Sequence, residues 1–577
     1  MNRLWKASIL SLATSSLLTL NVLTNSSWAQ ENDGVVEGLT DETLVPPIRY
    51  IGPSAAWEAP HFEAGNLMIT EWQALGMTVT QELVPDPQVL GSLMLQRNFD
   101  VIAHGYIGTL DRLDPDQLLS RILLCEFAVP GGSNRGQYCS EEYDEVVLAQ
   151  KRETDTAKRL ELVHRAQQIQ SLDIPWITDY HPSEDYVWNS AMYGDVVSAA
   201  GMGLYNFWNE VNAKPIGNDP IYRIAVQGDF RSINPMVPDT VDGDIEIQRL
   251  VWDTLGRVNP EGEVIPWAAE SWEFTDDTTL KVALRKDLVF HDGEPLTAAD
   301  VKFSFDYFKK WEVGLYINPL AEIESVELVD DHNLVINLSA PSSSIFFGAI
   351  SQILILPEHQ WADVVERESL AAPRDWTETQ LVGSGPYKIK SVTREGVELV
   401  ANKDHFHPPQ SEGLVMISVS DQQAVFRALQ DGTAYFHQVA SLTPAGIDAA
   451  GGVPHLSAGK TSGITIRGMA FSFAEGSPTR DFAMRAAMAH TIDYGTLVDV
   501  ILRGYGEAGE STIAPGNVTW HDQSIEWSDT AAADVPHYRS YNPGKARQTL
   551  LDAGYRWDTQ GRLHYPENHA PKVHYDD

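Results

Sequence analysis

The stretch FHDGEPLTAADV, at residues 290–301, decides the fold of this chain. Its Asp292-Gly293 step is typical of a tight turn, because glycine tolerates backbone angles that other residues disfavour. Thr297 then precedes a segment of helical spacing at residues 298–308, and Asp300 lies one turn further on. A hydroxyl at the N-cap followed by such an acid resembles a capping box. The stretch therefore predicts a turn that leads directly into a capped helix.

Short segments on both sides of this stretch occur in the order in which one protein family carries them. They are PWAAESW (266–272), LRK (284–286), GSGPY (383–387), NKDHF (402–406), RAAM (485–488), TID (491–493) and LLDAGY (550–555). Together they make residues 220–577 resemble the peptide- and nickel-type extracellular solute-binding proteins, family 5. The resemblance implies an α/β fold with mixed sheets and two lobes, of the type II periplasmic-binding-protein kind with an extra domain.

The segments with which such proteins normally end are found at the other end of this chain. They are WQALGM (72–77), GY (105–106), DPD (114–116), residues 134–144 and residues 159–175. We therefore interpret the chain as circularly permuted, with old termini fused at residues 213–220 and new termini near residues 45 and 577. An incomplete tandem protein and a misassembled reading frame are the two alternatives.

This interpretation implies a domain organisation in six parts. They are a signal peptide (1–29), a flexible N-terminus (30–44), part of the second lobe that returns to the first lobe at about 180–212 (45–212), a linker (213–220), a first lobe with a small domain inserted at about 256–375 (221–475), and the rest of the second lobe (476–577). Within the second part, strand, helix and strand patterns at residues 48–51, 62–75 and 77–83 predict crossover connections.

The N-terminus has the pattern of a secretory signal peptide. Arg3 and Lys6 precede an apolar run at residues 7–22, and small residues precede Gln30. We expect a periplasmic protein without a lipid anchor, because no cysteine lies near the cleavage point.

Composition narrows the classes of partner. With 577 residues and 43% apolar content, the chain can form two or more cores. Its 41 basic and 80 acidic residues give a formal charge of -39, which repels nucleic acid and anionic lipid. No motif for a metal or cofactor occurs, so we expect neither.

The only two cysteines, Cys125 and Cys139, flank a short loop. In an oxidising compartment such a pair is expected to form a disulfide. A catalytic or metal-binding thiol pair is the alternative, but the spacing is not C-x-x-C.

The resemblance also implies a function. Family members bind a peptide or similar small solute between their lobes and present it to a membrane ABC permease, as monomers and without catalysis. The residues expected to bind ligand here are Trp57, Tyr106, Asp111, Phe230 and Thr240.

Two of these expectations come from comparing loops with the family pattern. Asp111 is nearest to the acid that pairs with a peptide amino terminus in family members, although it could instead cap a turn. Where dipeptide binders have an arginine for the ligand carboxylate, this chain has Ser54-Ala55-Ala56-Trp57. Trp57 is therefore expected either to stack on an apolar or sugar-like face or to be a core residue.

Other functional classes remain as alternatives. A secreted hydrolase would use a carboxylate pair such as Asp111 and Asp114, and a receptor or chaperone would keep the scaffold without transport. His405 and His407 have strand spacing but no third candidate ligand nearby, and Arg485 is expected to form an ion pair between elements.

Overall fold

The computed structural model describes residues 34–227, 230, 232–238, 244–419, 422–437, 444–509, 511–525 and 540–575. The strands, numbered in chain order, are β1 Ile48–Pro53, β2 Val79–Val84, β3 Val101–Tyr106, β4 Trp176–Asn189, β5 Tyr193–Gly194, β6 Lys214–Pro215, β7 Ile221–Gln227, β8 Gly256–Val258, β9 Val264–Pro266, β10 Ala269–Asp276, β11 Thr279–Leu284, β12 Ile323–Asp330, β13 Asn333–Leu338, β14 Tyr387–Thr393, β15 Gly396–Ala401, β16 Gly413–Val419, β17 Phe436–His437, β18 Leu456–Ser462, β19 Ile466–Phe471, β20 Gly506–Ala508, β21 Arg556–Trp557 and β22 Leu563–His564.

The α-helices are numbered in the same way. They are α1 Ala59–Ala74, α2 Pro87–Gln96, α3 Asp116–Leu123, α4 Glu141–Arg152, α5 Thr156–Asp173, α6 Phe207–Asn212, α7 Asp244–Val251, α8 Ala298–Lys310, α9 Ile317–Ala321, α10 Glu358–Trp361, α11 Val364–Arg367, α12 Gln422–Asp431, α13 Pro444–Gly451, α14 Phe482–Ala489, α15 Tyr494–Thr496 and α16 Pro543–Asp552.

The stretch at residues 290–301 forms the turn and capped helix that its sequence predicts. Gly293 has a φ of 96°, in the left-handed region that glycine tolerates best. Thr297 is the N-cap of α8, and its backbone N–H donates to Asp300 Oδ2 at 2.9 Å. The capping box is therefore confirmed.

The described residues form two lobes, each around its own hydrophobic core. The core of the first lobe includes Ile224, Trp252 and Trp361, and the core of the second lobe includes Trp72 and Trp557. The four-stranded antiparallel sheet β10–β11–β13–β12 belongs to the first lobe, because its residues Leu280 and Ile336 are part of the core of that lobe. The fold is a mixed α/β fold, as expected.

One large sheet runs through both lobes. Its strand order is β14–β15–β16–β7–β17–β4–β19–β3–β1–β2, with β18 and β20 also paired to β4. Strand β4 is the shared element: residues 183–189 pair with β18, and residues 176–180 pair with β19. The described chain passes between the lobes near residues 181–183 and again near residues 463–465, so two adjacent strands form the connection.

The second lobe is assembled from both ends of the chain. Strand β3, from the N-terminal part, pairs antiparallel with β19, from the C-terminal part. The buried guanidinium of Arg485 on α14 donates to the carbonyl oxygens of Asp173 and Val573. Arg485 thus joins elements through backbone carbonyls, and the ion pair expected for it stays a prediction.

The described part of the N-terminal segment, which begins at Gly34, forms hydrogen bonds with a distant hairpin, whereas the flexibility expected over residues 30–44 stays a prediction. Trp557 donates its backbone N–H to Gly34 O at 2.8 Å, and Val36 donates to Trp557 O at the same distance. Val45 then donates to Leu563 O, so this segment lies along the β21–β22 hairpin. The sequence did not indicate this because the partners are more than 500 residues away. The predicted signal peptide, residues 1–29, lies outside the described residues.

Two local predictions have opposite outcomes. The disulfide between Cys125 and Cys139 is confirmed. The prediction that His405 and His407 share a strand is wrong, because they lie in the loop between β15 and β16. There the backbone N–H of His407 donates to His405 Nδ1 at 3.0 Å, and His405 Nε2 lies 3.2 Å from Asp253 Oδ1.

Candidate functional site

A cavity of about 260 Å³ opens in the second lobe, next to the connection between the lobes. It is lined by residues at or just beyond the carboxyl ends of three strands: Pro53 at the end of β1, Pro87 after β2, and Tyr106 at the end of β3. Strand β1 pairs in parallel with both β2 and β3, so these three ends lie at one edge of the sheet.

The order of these strands explains why a cavity forms here. The chain runs from β1 to β2 on one side and then returns to β3 on the other side of β1. Right-handed crossovers then direct the connections to opposite faces of the sheet, which leaves a crevice at the carboxyl ends. Ligands of open α/β sheets bind in such crevices.

Much of the cavity wall is apolar. Trp57 lies in the turn between β1 and α1, where its backbone N–H donates to Ser54 O at 3.1 Å. Leu90 and Met94 line the cavity from α2, and Ile107, 61% exposed, lies beside it just after β3. Trp57 also packs against the core of the second lobe, so its binding role and its core role are compatible.

A charged cluster lies against this apolar wall. Arg467 on β19 forms an ion pair with Glu58 at the start of α1. His61, fully buried, has its Nε2 3.2 Å from Asp179 Oδ2 and its Nδ1 3.6 Å from Glu58 Oε2. The cluster thus places two cations among two carboxylates.

The electrostatics keep Glu58 and His61 of this cluster ionised, whereas burial raises the pKa of Asp179. Burial raises the pKa of Glu58, but His61 and Arg467 outweigh it and lower the pKa to about 2. Burial likewise opposes the imidazolium of His61, but Asp179 and Glu58 outweigh it and raise the pKa to about 8. At neutral pH His61 is therefore a cation.

His104 on β3 also lines the cavity but has the opposite character. Burial, reinforced by the positive charges of His61 and Arg135, lowers the pKa of His104 to about 3. Its ring lies 4.7 Å from that of Trp176 and 5.3 Å from that of Tyr106. His104 is consequently a neutral imidazole in an aromatic setting.

Gly105 shows how closely β3 and β19 approach beside the cavity. A Cβ added there would lie 2.4 Å from Ile466 O and 2.7 Å from the side chain of Arg467. Any larger residue at this position would displace Arg467, so glycine is needed for the ion pair to form.

The structure brings together two of the five predicted ligand-binding residues, Trp57 and Tyr106, at this cavity. Asp111 lies in the short 3-10 helix Leu110–Leu113, but its side chain is outside the described part. Phe230 is 5% exposed in the core of the first lobe and is not among the residues that line the cavity. Thr240 lies outside the described residues.

The hydrolase alternative requires two carboxylates that a substrate can reach. Asp114, one of the two, is not accessible. This residue is 1% exposed, and its Oδ1 lies 2.7 Å from Arg159 Nη2 in a buried ion pair. A general acid or base must reach the substrate, and Asp114 does not meet this requirement.

Sequence reasoning missed Glu58, His61, Asp179 and Arg467. The expected arginine is absent after β1, yet Arg467 reaches the same cavity from a strand more than 400 residues away. The position of Glu58 directly after Trp57, a predicted ligand-binding residue, was the one local feature of the sequence that could have indicated this cluster. The partners of these residues depend on sheet order, which periodicity does not give.

The lobes also contact each other beside the connection. Leu113 of the second lobe packs with Val258 and Phe347 of the first lobe and with Ile464 between β18 and β19. A cavity of only about 30 Å³ remains between Leu110 on one side and Arg249 and Arg257 on the other. The two lobes therefore meet in an apolar contact with little free space.

The family model described as bacterial extracellular solute-binding proteins, family 5 Middle, matches residues 263–574. This range is more than half of the chain, and the chain belongs to family 5 of the bacterial extracellular solute-binding proteins.

Curated relatives match about half of the chain. A Brucella ovis protein named as a candidate ABC transporter peptide-binding protein is 32% identical over 302 residues, covering 50% of this chain and 51% of its own. The oligopeptide-binding protein AppA of Bacillus subtilis is 26% identical over 333 residues, covering 56% and 57%. Heme-binding protein A of Haemophilus influenzae is 24% identical over 323 residues, covering 51% and 54%. The chain thus spans about half the length of these relatives.

Solved structures with similarity include two binding proteins. The oligopeptide-binding protein of Thermotoga maritima has a TM-score of 0.45 at 22% identity, covering 59% of this chain and 65% of its own. NikZ of Campylobacter jejuni, in complex with Ni(L-His), has a TM-score of 0.42 at 20% identity, covering 60% and 66%.

Two features are absent from the described residues. None of the helices described has the length and apolar character to cross a membrane. No group of three or more histidine, cysteine or acidic side chains there is arranged to hold a metal ion.

Proposed function

We propose that this protein is a non-enzymatic solute-binding component of an ABC importer, acting outside the cytoplasm on a peptide or a similarly sized small solute. Membership of family 5 supports the binding role. The names of the Brucella ovis and Bacillus subtilis relatives support peptides as the first solutes to test.

The observation that carries the proposal is the position of the 260 Å³ cavity. It lies at the carboxyl ends of parallel strands and beside the connection that the described chain makes between the lobes through two segments, strand β4 and the link from β18 to β19. Bending these segments changes the distance between the lobes without disturbing either core, and hinge closure around a ligand uses such an arrangement. Capture of a solute needs a site beside a hinge and no catalytic group.

Within this function we assign ligand contact to Trp57 and Tyr106, whose aromatic rings offer large apolar faces. Asp111, Phe230 and Thr240 stay predictions. An ABC permease and a monomeric state belong to the same proposal.

Thermal unfolding in the presence of candidate solutes tests the proposal. A ligand that binds only the folded protein at 100 times its Kd stabilises it by about 2.7 kcal/mol. We expect tripeptides to raise the Tm in a concentration-dependent, single-site manner, with oligosaccharides, haem and nickel–histidine as comparison solutes. Trp57→Ala should reduce the ligand-induced shift, whereas Val500→Ala, at a 66% exposed position, should preserve it. If none of these classes of solute raised the Tm, the proposal would be contradicted.

We further propose that the order of segments is a circular permutation, with residues 45–212 and 221–577 as parts of one hinged protein. The pairing of β3 with β19 supports this, since each part supplies strands that the other needs. A reordered gene would place residues 220–575 first, join them by a Gly/Ser linker to residues 34–212, and place the new termini in the 213–219 linker. A soluble product with the same Tm and solute binding is expected. An insoluble product would contradict the permutation without affecting the binding role.

A further inference from the structure

We propose that the cavity at the carboxyl ends of β1, β2 and β3 is a pocket for one uncharged, apolar group of the solute, such as an aromatic or branched aliphatic side chain. The inference rests on the proposed binding function and specifies what this part of the site accepts. The size of the pocket, the pairing of its charges and its apolar wall support it independently.

The cavity is smaller than the sites that enclose a complete drug-sized ligand. The cavity measures about 260 Å³. Sites that enclose whole drug-sized ligands occupy roughly 300–1,000 Å³. The cavity therefore accommodates one group of a larger solute, while the rest of the solute lies outside the cavity.

The charges on the wall already have partners. Arg467 is paired with Glu58, and His61 lies between Glu58 and Asp179. A solute carboxylate entering here would meet the ionised Glu58, and an ammonium group would meet the cations of Arg467 and His61. A buried charge without a partner is strongly disfavoured, so the pocket selects against both signs.

The remaining wall suits an apolar group. Trp57, Leu90 and Met94 present carbon surface to the cavity, and the neutral His104 adds an aromatic edge. Ile107 is 61% exposed although it lies beside these residues. An apolar solute group in the pocket would bury this surface and gain free energy in proportion to the area removed from water.

Gly91 on α2 offers a way to fill the pocket without disturbing the fold. It lines the cavity, and a Cβ added there would have no atom within 4 Å. Because glycine inside a helix is less favourable than most residues, Gly91→Leu should fold at least as well as the wild type. Gly91→Ala is the matched control, since it makes the same backbone change and leaves most of the cavity open.

The test measures the binding of p-cresol, benzoate and benzylamine to the full chain by ligand-observed NMR. These probes have similar rings but are neutral, anionic and cationic at pH 7. We expect p-cresol to bind, with affinity at least about tenfold lower in Gly91→Leu and nearly unchanged in Gly91→Ala. Benzoate and benzylamine should bind more weakly than p-cresol.

Three results would overturn the inference. They are no binding of p-cresol to the wild type, equal or tighter binding of a charged probe, and p-cresol affinity unaffected by Gly91→Leu. A parallel titration with tripeptides that carry Phe, Asp or Lys at each position separates this inference from the proposed function. If the affinity for tripeptides were the same in Gly91→Leu as in the wild type, the pocket assignment alone would be overturned. If p-cresol bound but no solute did, the proposed function alone would be overturned.

Discussion

Lys151 Nζ, near the end of α4 in the second lobe, lies 3.1 Å from Glu322 Oε1 in the first lobe. The same ammonium lies 3.6 Å from Asp116 Oδ2 in its own lobe. Ser343 of the first lobe adds a backbone hydrogen bond to the carbonyl oxygen of Lys151 at 2.9 Å. These contacts join the lobes at a place separate from the two connecting strands.

Removing this ion pair should shift the lobes apart. Lys151 and Glu322 are 35% and 22% exposed, so solvent screening limits the pair to at most about 1 kcal/mol. We expect Lys151→Ala to increase the radius of gyration of the solute-free protein in small-angle X-ray scattering. Lys302→Ala is the control, because it breaks a similar pair with Asp306 inside α8. Equal scattering from both variants would show that the contact does not hold the lobes together.

The stability of the second lobe should depend on pH through His61. Its pKa is raised from 6.5 to about 8 in the folded protein, so its contribution is fully present below pH 6.5 and is lost as the pH rises through 8. The difference corresponds to about 2 kcal/mol of unfolding free energy. Urea unfolding between pH 6 and 9 should show this loss.

His61→Gln should remove most of that alkaline loss, although it also lowers stability at pH 6 by leaving Asp179 without its cation. His359→Gln serves as the control, because His359 is 42% exposed beside Asp292 on the surface. If His61→Gln kept the wild-type slope between pH 6.5 and 9, the assigned role of His61 would be wrong.

The disulfide should stabilise the loop that follows α3. Cys125 and Cys139 are separated by 14 residues, and closing a loop of this length contributes about 3 kcal/mol in the chain-entropy model. Replacing both cysteines by serine should lower the Tm, and dithiothreitol should then have no further effect. If reduction of the wild-type disulfide by dithiothreitol in denaturant left the Tm of the refolded protein unchanged, this expectation would be contradicted.

The cap of α8 gives an internal comparison of two neighbouring substitutions. Thr297→Ala removes an N-cap and should cost about 1 kcal/mol. Asp300→Ala should cost more, because Asp300 Oδ1 also accepts a hydrogen bond from the backbone N–H of Glu358 at 3.1 Å. Urea unfolding of both variants and of the double variant measures the difference. Equal costs would mean that the link between α8 and α10 contributes nothing.

Local patterns in the sequence predicted much of this fold. Strand β1, helix α1 and strand β2 occur where alternation and helical spacing place them, and Thr297 caps α8 as its motif indicates. These features depend on neighbours along the chain, so periodicity and capping chemistry are sufficient to find them.

The features that sequence reasoning missed depend on contacts across the whole chain. Strand β4 has 14 residues, and these pair with strands of both lobes. The ion pair of Arg467 with Glu58 and the carbonyl contacts of Arg485 arise only when distant elements pack. Such tertiary contacts leave no periodic signal in a single sequence.

The central claim, that this chain captures a solute in the cleft beside its two-strand connection, is tested most directly by isothermal titration calorimetry of tripeptides. The account predicts saturable binding with one site per chain, weakened at least about tenfold by Trp57→Ala. It also predicts a smaller radius of gyration for the loaded protein. Neither heat of binding nor a change in scattering with any tripeptide, oligosaccharide or metal complex would contradict it.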